Sequence, residues 1–216
     1  MRTFTDWHTW PDAAPGLTAL LPGDVVARLA QAVQYATEQH GDQRRKTGVP
    51  YLEHLLEAVQ ILVQGAGVRD PDVLVAAVLH DVVEDTPRTL AEITAAFGPG
   101  VAELVRWVTK PEPRPGEDAT AVREAYLRRL RLAPPDAILV KLADRLSNVQ
   151  TLRNLAPDRQ RAYYAQTVEY IIPLTATLPW FAAWYAEWEA DFADLADDGS
   201  RAGKPGAGKP PAAKPS

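Results

Sequence analysis

Four residues in the middle of the chain do not match the pattern that delivers them. The run VLVAAVLHDVVEDT is apolar as far as residue 79 and then presents His80, Asp81, Glu84 and Asp85. At helical spacing these fall at i, i+1, i+4 and i+5, stacked over a single turn of one face. Carboxylates so close repel one another, and burying them unpaired is costly. A divalent cation removes both costs and turns the cluster into a site. A solvated acidic helix end is the competing explanation at this level.

A second polar stripe lies in ILVKLADRLSNVQTL, where Lys141, Asp144, Asn148 and Thr151 recur at i, i+3, i+7 and i+10 among apolar neighbours. Asp144, between Leu142 and Leu146, needs a partner if it is buried, and Arg145 or a metal ion could serve. The third piece is His54 in PYLEHLLEAV, an imidazole that suits a hydrogen-bonded core position as well as a ligand position. Together His54, His80, Asp81 and Asp144 make a mixed nitrogen and oxygen donor set. Such a set suits Mn²⁺, Fe²⁺ or Zn²⁺ better than Ca²⁺ or Mg²⁺. Held with open positions, such an ion acidifies bound water near neutral pH. Glu84 and Asp85, one turn further on, are spaced to handle protons or hold the attacking water. The chemistry is metal-assisted hydrolysis of a phosphate ester or anhydride. A phosphorylated substrate also needs cations, and HGDQRRKTGVPY sets Arg44, Arg45 and Lys46 in a short loop. Arginine forks onto phosphate or stacks on a purine, and lysine acts as a point charge. A solvated turn is the plain alternative for that loop.

Positioning these groups falls to helices. From residue 24 to about 195 the apolar spacing is helical and no alternating strand pattern occurs. One helix runs from 24 to Gly41, and a second opens at Pro50 and stops at Gly65. Asp70-Pro71-Asp72 opens the run that leads to His80, apolar on all sides as a central helix would be. Thr89-Leu-Ala-Glu92 is a capping box, and a helix fits 99–109 before the proline-rich loop 110–118. Further helical stretches fit 118–132, 136–154 and 158–172. A last helix places Trp180, Trp184 and Trp188 on one side, a stripe suited to a core or to an oligomer contact. The expectation is an all-α fold with a 1–23 N-terminal extension, a 24–198 domain and a disordered 199–216 tail.

Composition narrows the function. With no cysteine, thiolate-bound zinc, iron–sulfur clusters, disulfides and thiol nucleophiles are excluded. A formal charge of −5 argues against nucleic acid as a partner, which calls for a basic surface. The tail holds Arg201, Lys204, Lys209 and Lys214 and no acid, so the rest of the chain is more acidic still. No apolar signal core opens the chain and no apolar run approaches a membrane span, so a cytoplasmic protein without a membrane partner is expected.

The stretches QRRKTGVPYLEH, AAVLHDVVEDTPRTLAEITAAFGPGVAELVRWVTK and ILVKLADRLSNVQTL, in that order, resemble the HD-type hydrolase domain of the RelA/SpoT family. TVEYIIPLTATL is a weaker fourth match, and the resemblance spans about 30–178. No synthetase segment follows in the chain, so the pattern is similar to a stand-alone small alarmone hydrolase. The resemblance implies an HD-domain helical bundle that removes pyrophosphate from the 3′ position of ppGpp or pppGpp, usually with Mn²⁺. It places the metal ligands on His54, His80, Asp81 and Asp144, and the catalytic acidic pair on Glu84 and Asp85. It places nucleotide contacts on Arg45, Lys46, Asn148 and Thr151, with Arg45 against the guanine ring.

The family commonly has His at 147, Arg at 150 and Gly at 42, where this chain has Ser147, Gln150 and Asp42, and the loop 111–117 is divergent. Ser147, three residues after Asp144, is expected on the site side of its helix, opening the pocket, and Gln150 is expected to remove a charge near the phosphates. That altered surface leaves two alternatives: another nucleotide such as NADPH, or a nucleotide sensor of negligible turnover. A second copy of the chain is also a permitted partner.

Overall fold

The computed structural model describes residues 1–45 and 47–196, so Lys46 and the 199–216 tail lie outside the described residues. Among the described residues there is no β-strand, and one isolated bridge joins Arg44 to Pro50. The fold is all-α and is built around α4 (Pro71–Leu79). Asp70 starts this helix by accepting the amides of Asp72 (2.9 Å) and Val73 (3.1 Å), with Pro71 in the first turn. Every side chain from Val73 to Leu79 is fully buried. The neighbours that enclose it are α2 (Gly23–His40), α3 (Tyr51–Gln60), α7 (Pro99–Val108) and α9 (Pro135–Val149).

The capping box forms as spelled: Glu92 accepts the Thr89 amide (2.8 Å) and the Thr89 hydroxyl accepts the Glu92 amide (3.3 Å), opening α6 (Leu90–Phe97). Gly98, at φ +94°, then turns the chain into α7, a conformation that disfavours any side chain. The remaining helices are α8 (Ala119–Arg129), α10 (Pro157–Gln166) and α11 (Pro179–Asp191). In α11, Trp184 and Trp188 are buried, and their indole N–H groups donate to Arg2 O (2.7 Å) and Val149 O (3.0 Å). These two Trp residues are therefore core.

The structure departs from the spacing at three places. First, α4 ends at Leu79 and the chain resumes as the single turn α5 (Val82–Asp85), so the acidic cluster is not on one unbroken helix. The His80 imidazole takes the Ala77 carbonyl (2.8 Å), the acceptor that a continuous helix would offer to the Asp81 amide. Second, α9 stops at Val149, ahead of a 3₁₀ turn at Leu152–Asn154, so Thr151 is not on the stripe that carries Lys141, Asp144 and Asn148. Third, segment 1–23 contains α1 (Trp10–Thr18) and contributes Phe4, Trp7, Ala13, Leu17 and Leu21 to the core. Gln150 ties this segment down, accepting the Phe4 amide (2.7 Å) and donating to the Phe4 carbonyl (3.2 Å). Its side chain is buried there and does not reach the cleft described below, which corrects the expectation of a change beside phosphates.

Candidate active site

The first turn of α3 delivers His54, the junction between α4 and α5 delivers His80 and Asp81, and α9 delivers Asp144. The Nε2 atoms of His54 and His80 lie 3.1 Å apart. Asp81 Oδ2 is 3.0 Å from His80 Nε2 and 3.6 Å from His54 Nε2. Asp144 Oδ1 is 3.5 Å from His54 Nε2 and 3.7 Å from His80 Nε2. The fold thus brings the four residues of the expected donor set together from separate helices. Separations of 3.0–3.7 Å are those of neighbouring donors around one ion with bonds of about 2.0–2.2 Å.

The cluster is short of protons. His80 Nδ1 faces the Ala77 carbonyl, which only accepts, so the proton is on Nδ1 and Nε2 presents a lone pair. His54 Nδ1 faces Ser147 Oγ (2.7 Å), whose one proton is given to the Glu57 carboxylate, so His54 Nδ1 is also the donor. Two lone pairs and two carboxylate oxygens thus converge with no hydrogen between them, in side chains at most 12% exposed. His54, His80 and Asp81 each bring one donor atom close enough to share a divalent cation, and Asp144 Oδ1 stands beside both imidazoles. Without one, a proton must substitute. Burial works against charge on His80, but Asp81 and Asp144 outweigh it and hold the imidazole well above its usual pKa. Burial would likewise raise the carboxyls. His80 outweighs it for Asp81, and Lys141 with His80 for Asp144, and both stay well below the usual range.

A second ring holds these ligands. The Tyr51 hydroxyl donates to Asp81, and burial followed by the Asp81 charge pushes that phenol far up, so it remains a donor. Lys141 Nζ donates to Asp144 Oδ2 (2.6 Å), leaving Oδ1 for the cluster, and Asn148 Nδ2 donates to that Oδ1 (2.7 Å). Burial opposes the Lys141 charge, but Asp144 outweighs it and raises the pKa. Lys141 is therefore the partner of Asp144. Arg145 instead lies over the Tyr163 ring (5.2 Å), buried, with Nη1 unbonded. Ser147 does face the site side of α9, but it is fully buried behind His54 and so does not widen the pocket as expected.

In front of the cluster opens a cleft of about 300 Å³. Glu84 lines it with both oxygens held by Lys110, one by the backbone amide (3.0 Å) and one by Nζ (2.6 Å). Asp85 is exposed and accepts Gln43 Nε2 (2.8 Å). Arg45, Asn148 and Thr151 line the same cleft, while Lys46 lies outside the described residues. Arg45 is already engaged, donating to Glu57 (2.9 Å) and to the Ser147 carbonyl (3.3 Å). Among the described residues seven Arg and Lys side chains line the cleft against four carboxylates, a local excess of positive charge in an acidic chain. Arg123, Arg159 and Tyr163 were not legible as site residues, because α8 and α10 bring them in from elsewhere in the chain; nor was Lys110, which the loop after α7 supplies, or Tyr51, which opens α3 three residues before His54. Lys141 was legible, since i to i+3 neighbours touch on a helix.

An all-helical bundle that closes an adjacent His-Asp pair against a His and an Asp from two other helices defines a class. The chain belongs to the HD domain family, which matches residues 32–178. Among individual relatives, the bifunctional (p)ppGpp synthase/hydrolase SpoT of Escherichia coli is 38% identical over 161 residues, covering 73% of this chain and 23% of that protein. The guanosine-3′,5′-bis(diphosphate) 3′-pyrophosphohydrolase of Spiroplasma citri is 39% identical over 144 residues, covering 65% and 19%. The chain thus spans less than a quarter of the length of these curated relatives. A solved structure, described as a metazoan ortholog of SpoT that hydrolyzes ppGpp and plays a role in starvation responses, superposes with a TM-score of 0.68 at 29% identity. That match covers 76% of this chain and 95% of the other. No helix among the described residues is long and apolar enough to cross a membrane.

Proposed function

We propose that the chain is a cytoplasmic, metal-dependent pyrophosphohydrolase that cleaves ppGpp and pppGpp with water, releasing the 3′-pyrophosphate, and that its metal is Mn²⁺. The observation that carries the reading is the cleft itself, where a proton-poor cluster of four donors faces a wall of cations. The naming of the relatives and the metazoan structure as ppGpp hydrolases supports the choice of substrate.

In this reading His54, His80, Asp81 and Asp144 hold the cation, which supplies Lewis acidity for the diphosphate when bound. Glu84, fixed in orientation by Lys110, and Asp85, beside Gln43, orient the attacking water and take its proton. Arg45, Lys46, Asn148 and Thr151 hold the nucleotide, and the remaining cations of the cleft neutralise its phosphates. The NADPH alternative rests on Ser147 and Gln150 at the cleft surface, and both side chains lie in the interior.

Purified protein with Mn²⁺ is expected to release pyrophosphate from ppGpp. His80→Ala and Asp144→Ala are each expected to abolish both Mn²⁺ binding and turnover. Wild-type protein that binds no divalent metal would end this reading.

A further inference from the structure

Glu57 lies on α3, one turn beyond His54, in an otherwise apolar run of Leu55, Leu56, Ala58 and Val59. A carboxylate 7% exposed at such a place needs strong partners. It has two, and both use the same oxygen: Oε2 accepts Arg45 Nη1 (2.9 Å) and the Ser147 hydroxyl. Glu57 does not line the cleft, yet one partner does and the other supports a metal-cluster histidine.

We propose that Glu57 is a positioning residue that fixes the tautomer of His54 through Ser147 and, by the same oxygen, fixes the guanidinium of Arg45. The inference rests on the reading of the cleft as a metal and nucleotide site. With Arg45 as its counter-ion, Glu57 is acceptor-only, so it claims the single proton of Ser147. Ser147 Oγ can then only accept from His54 Nδ1, which leaves Nε2 as a lone pair facing the cluster. Remove the carboxylate, and the hydroxyl is free to donate to Nδ1 instead. The proton then moves to Nε2, and His54 ceases to be a ligand. Arg45, released at the same time, loses the contact that orients it toward the cleft.

Three variants separate the two arms. Glu57→Ala should weaken Mn²⁺ binding by roughly 10–100-fold, the usual cost of losing an outer-shell support, and should also raise KM for ppGpp. Ser147→Ala should weaken Mn²⁺ binding comparably but leave KM unchanged when measured at saturating Mn²⁺. Glu57→Gln keeps an acceptor oxygen for both partners and should restore Mn²⁺ affinity to near the wild-type value. A merely structural role would lower thermal stability without this split. Nitrogen NMR of the metal-free protein, at a pH where His80 is neutral, should find the His54 proton on Nδ1 in wild type and on Nε2 in Glu57→Ala. Should Glu57→Ala not fold, Ser147→Ala decides the metal arm and Glu57→Gln the rescue. Wild-type Mn²⁺ affinity in either alanine variant, or an unchanged tautomer in Glu57→Ala, overturns the proposal. The metal and tautomer measurements need no substrate. Protein that binds Mn²⁺ as predicted but leaves ppGpp intact therefore refutes the proposed hydrolysis and not the role of Glu57.

Discussion

Loading the four-donor cluster with a divalent cation must displace one proton, and that proton makes metal binding depend on pH in a calculable way. Both Nδ1 protons are committed, to Ala77 O and to Ser147, so the exchangeable one sits between the two Nε2 atoms. It belongs to His80, whose pKa in the metal-free protein Asp81 and Asp144 hold well above the usual imidazole value against the opposition of burial. For the metal-free fold the sign is therefore fixed. This ionisation stabilises fully below the unfolded value of about 6.5 and its contribution is lost as pH rises through the raised folded value. Mn²⁺ binding runs the other way, strengthening about tenfold, or about 1.4 kcal/mol, for each pH unit until His80 is neutral. For a chain of this size 1 kcal/mol moves Tm by roughly 2–4 °C. The stabilisation by saturating Mn²⁺ relative to EDTA should thus grow by about 3–6 °C per pH unit as pH rises toward the raised His80 value, and level off beyond it. Paired thermal melts across that window read it directly. A Mn²⁺ increment that is flat, or that shrinks as pH rises, refutes the proton count.

Three further outcomes follow from the surroundings of the cluster. Lys141→Met leaves the buried Asp144 Oδ2 without its ammonium and should cost about 3–5 kcal/mol in EDTA, with a smaller loss in Mn²⁺, where the cation supplies the missing charge; denaturant titrations in the two conditions measure both. Tyr51→Phe removes the hydroxyl that orients Asp81 and should weaken Mn²⁺ binding by roughly 10–100-fold, read by calorimetric titration. Gln150→Ala unpins Phe4 and should destabilise by about 1–3 kcal/mol while kcat and KM for ppGpp stay at wild-type values, because its side chain is away from the cleft.

Much of the fold is written in local signals. The Asp-Pro start of α4, its apolar run and the Thr89 capping box are short-range patterns, and each forms where it is spelled. The clustered residues His54, His80, Asp81 and Asp144 were legible for the opposite reason, as polar groups that apolar helices would otherwise have to bury unpaired. Depth was harder to read than direction. Ser147 does point to the site side of α9, but it stands behind His54, because α3 packs between it and the cleft. The break at His80 was hidden because it follows from a side chain competing for a backbone acceptor, not from a Gly or Pro. Helix α1 carried a signal in Thr9 and Asp12, which bond as a capping box, and in Pro11 in its first turn, although Pro15 inside it argues against a helix there. The cations of the far cleft wall, Arg123 and Arg159, come from α8 and α10, and no spacing within either helix announces their convergence.

In the proposed function an acidic chain accepts a highly anionic guanine nucleotide because a metal cluster and a cationic wall invert the local sign of charge. Its most direct test is a side-by-side turnover assay of ppGpp and NADPH with purified wild-type protein in Mn²⁺ and in EDTA. Pyrophosphate release from ppGpp is expected in Mn²⁺, none in EDTA, and little action on NADPH. Preferred turnover of NADPH, or tight ppGpp binding with no turnover in any divalent metal, would contradict it.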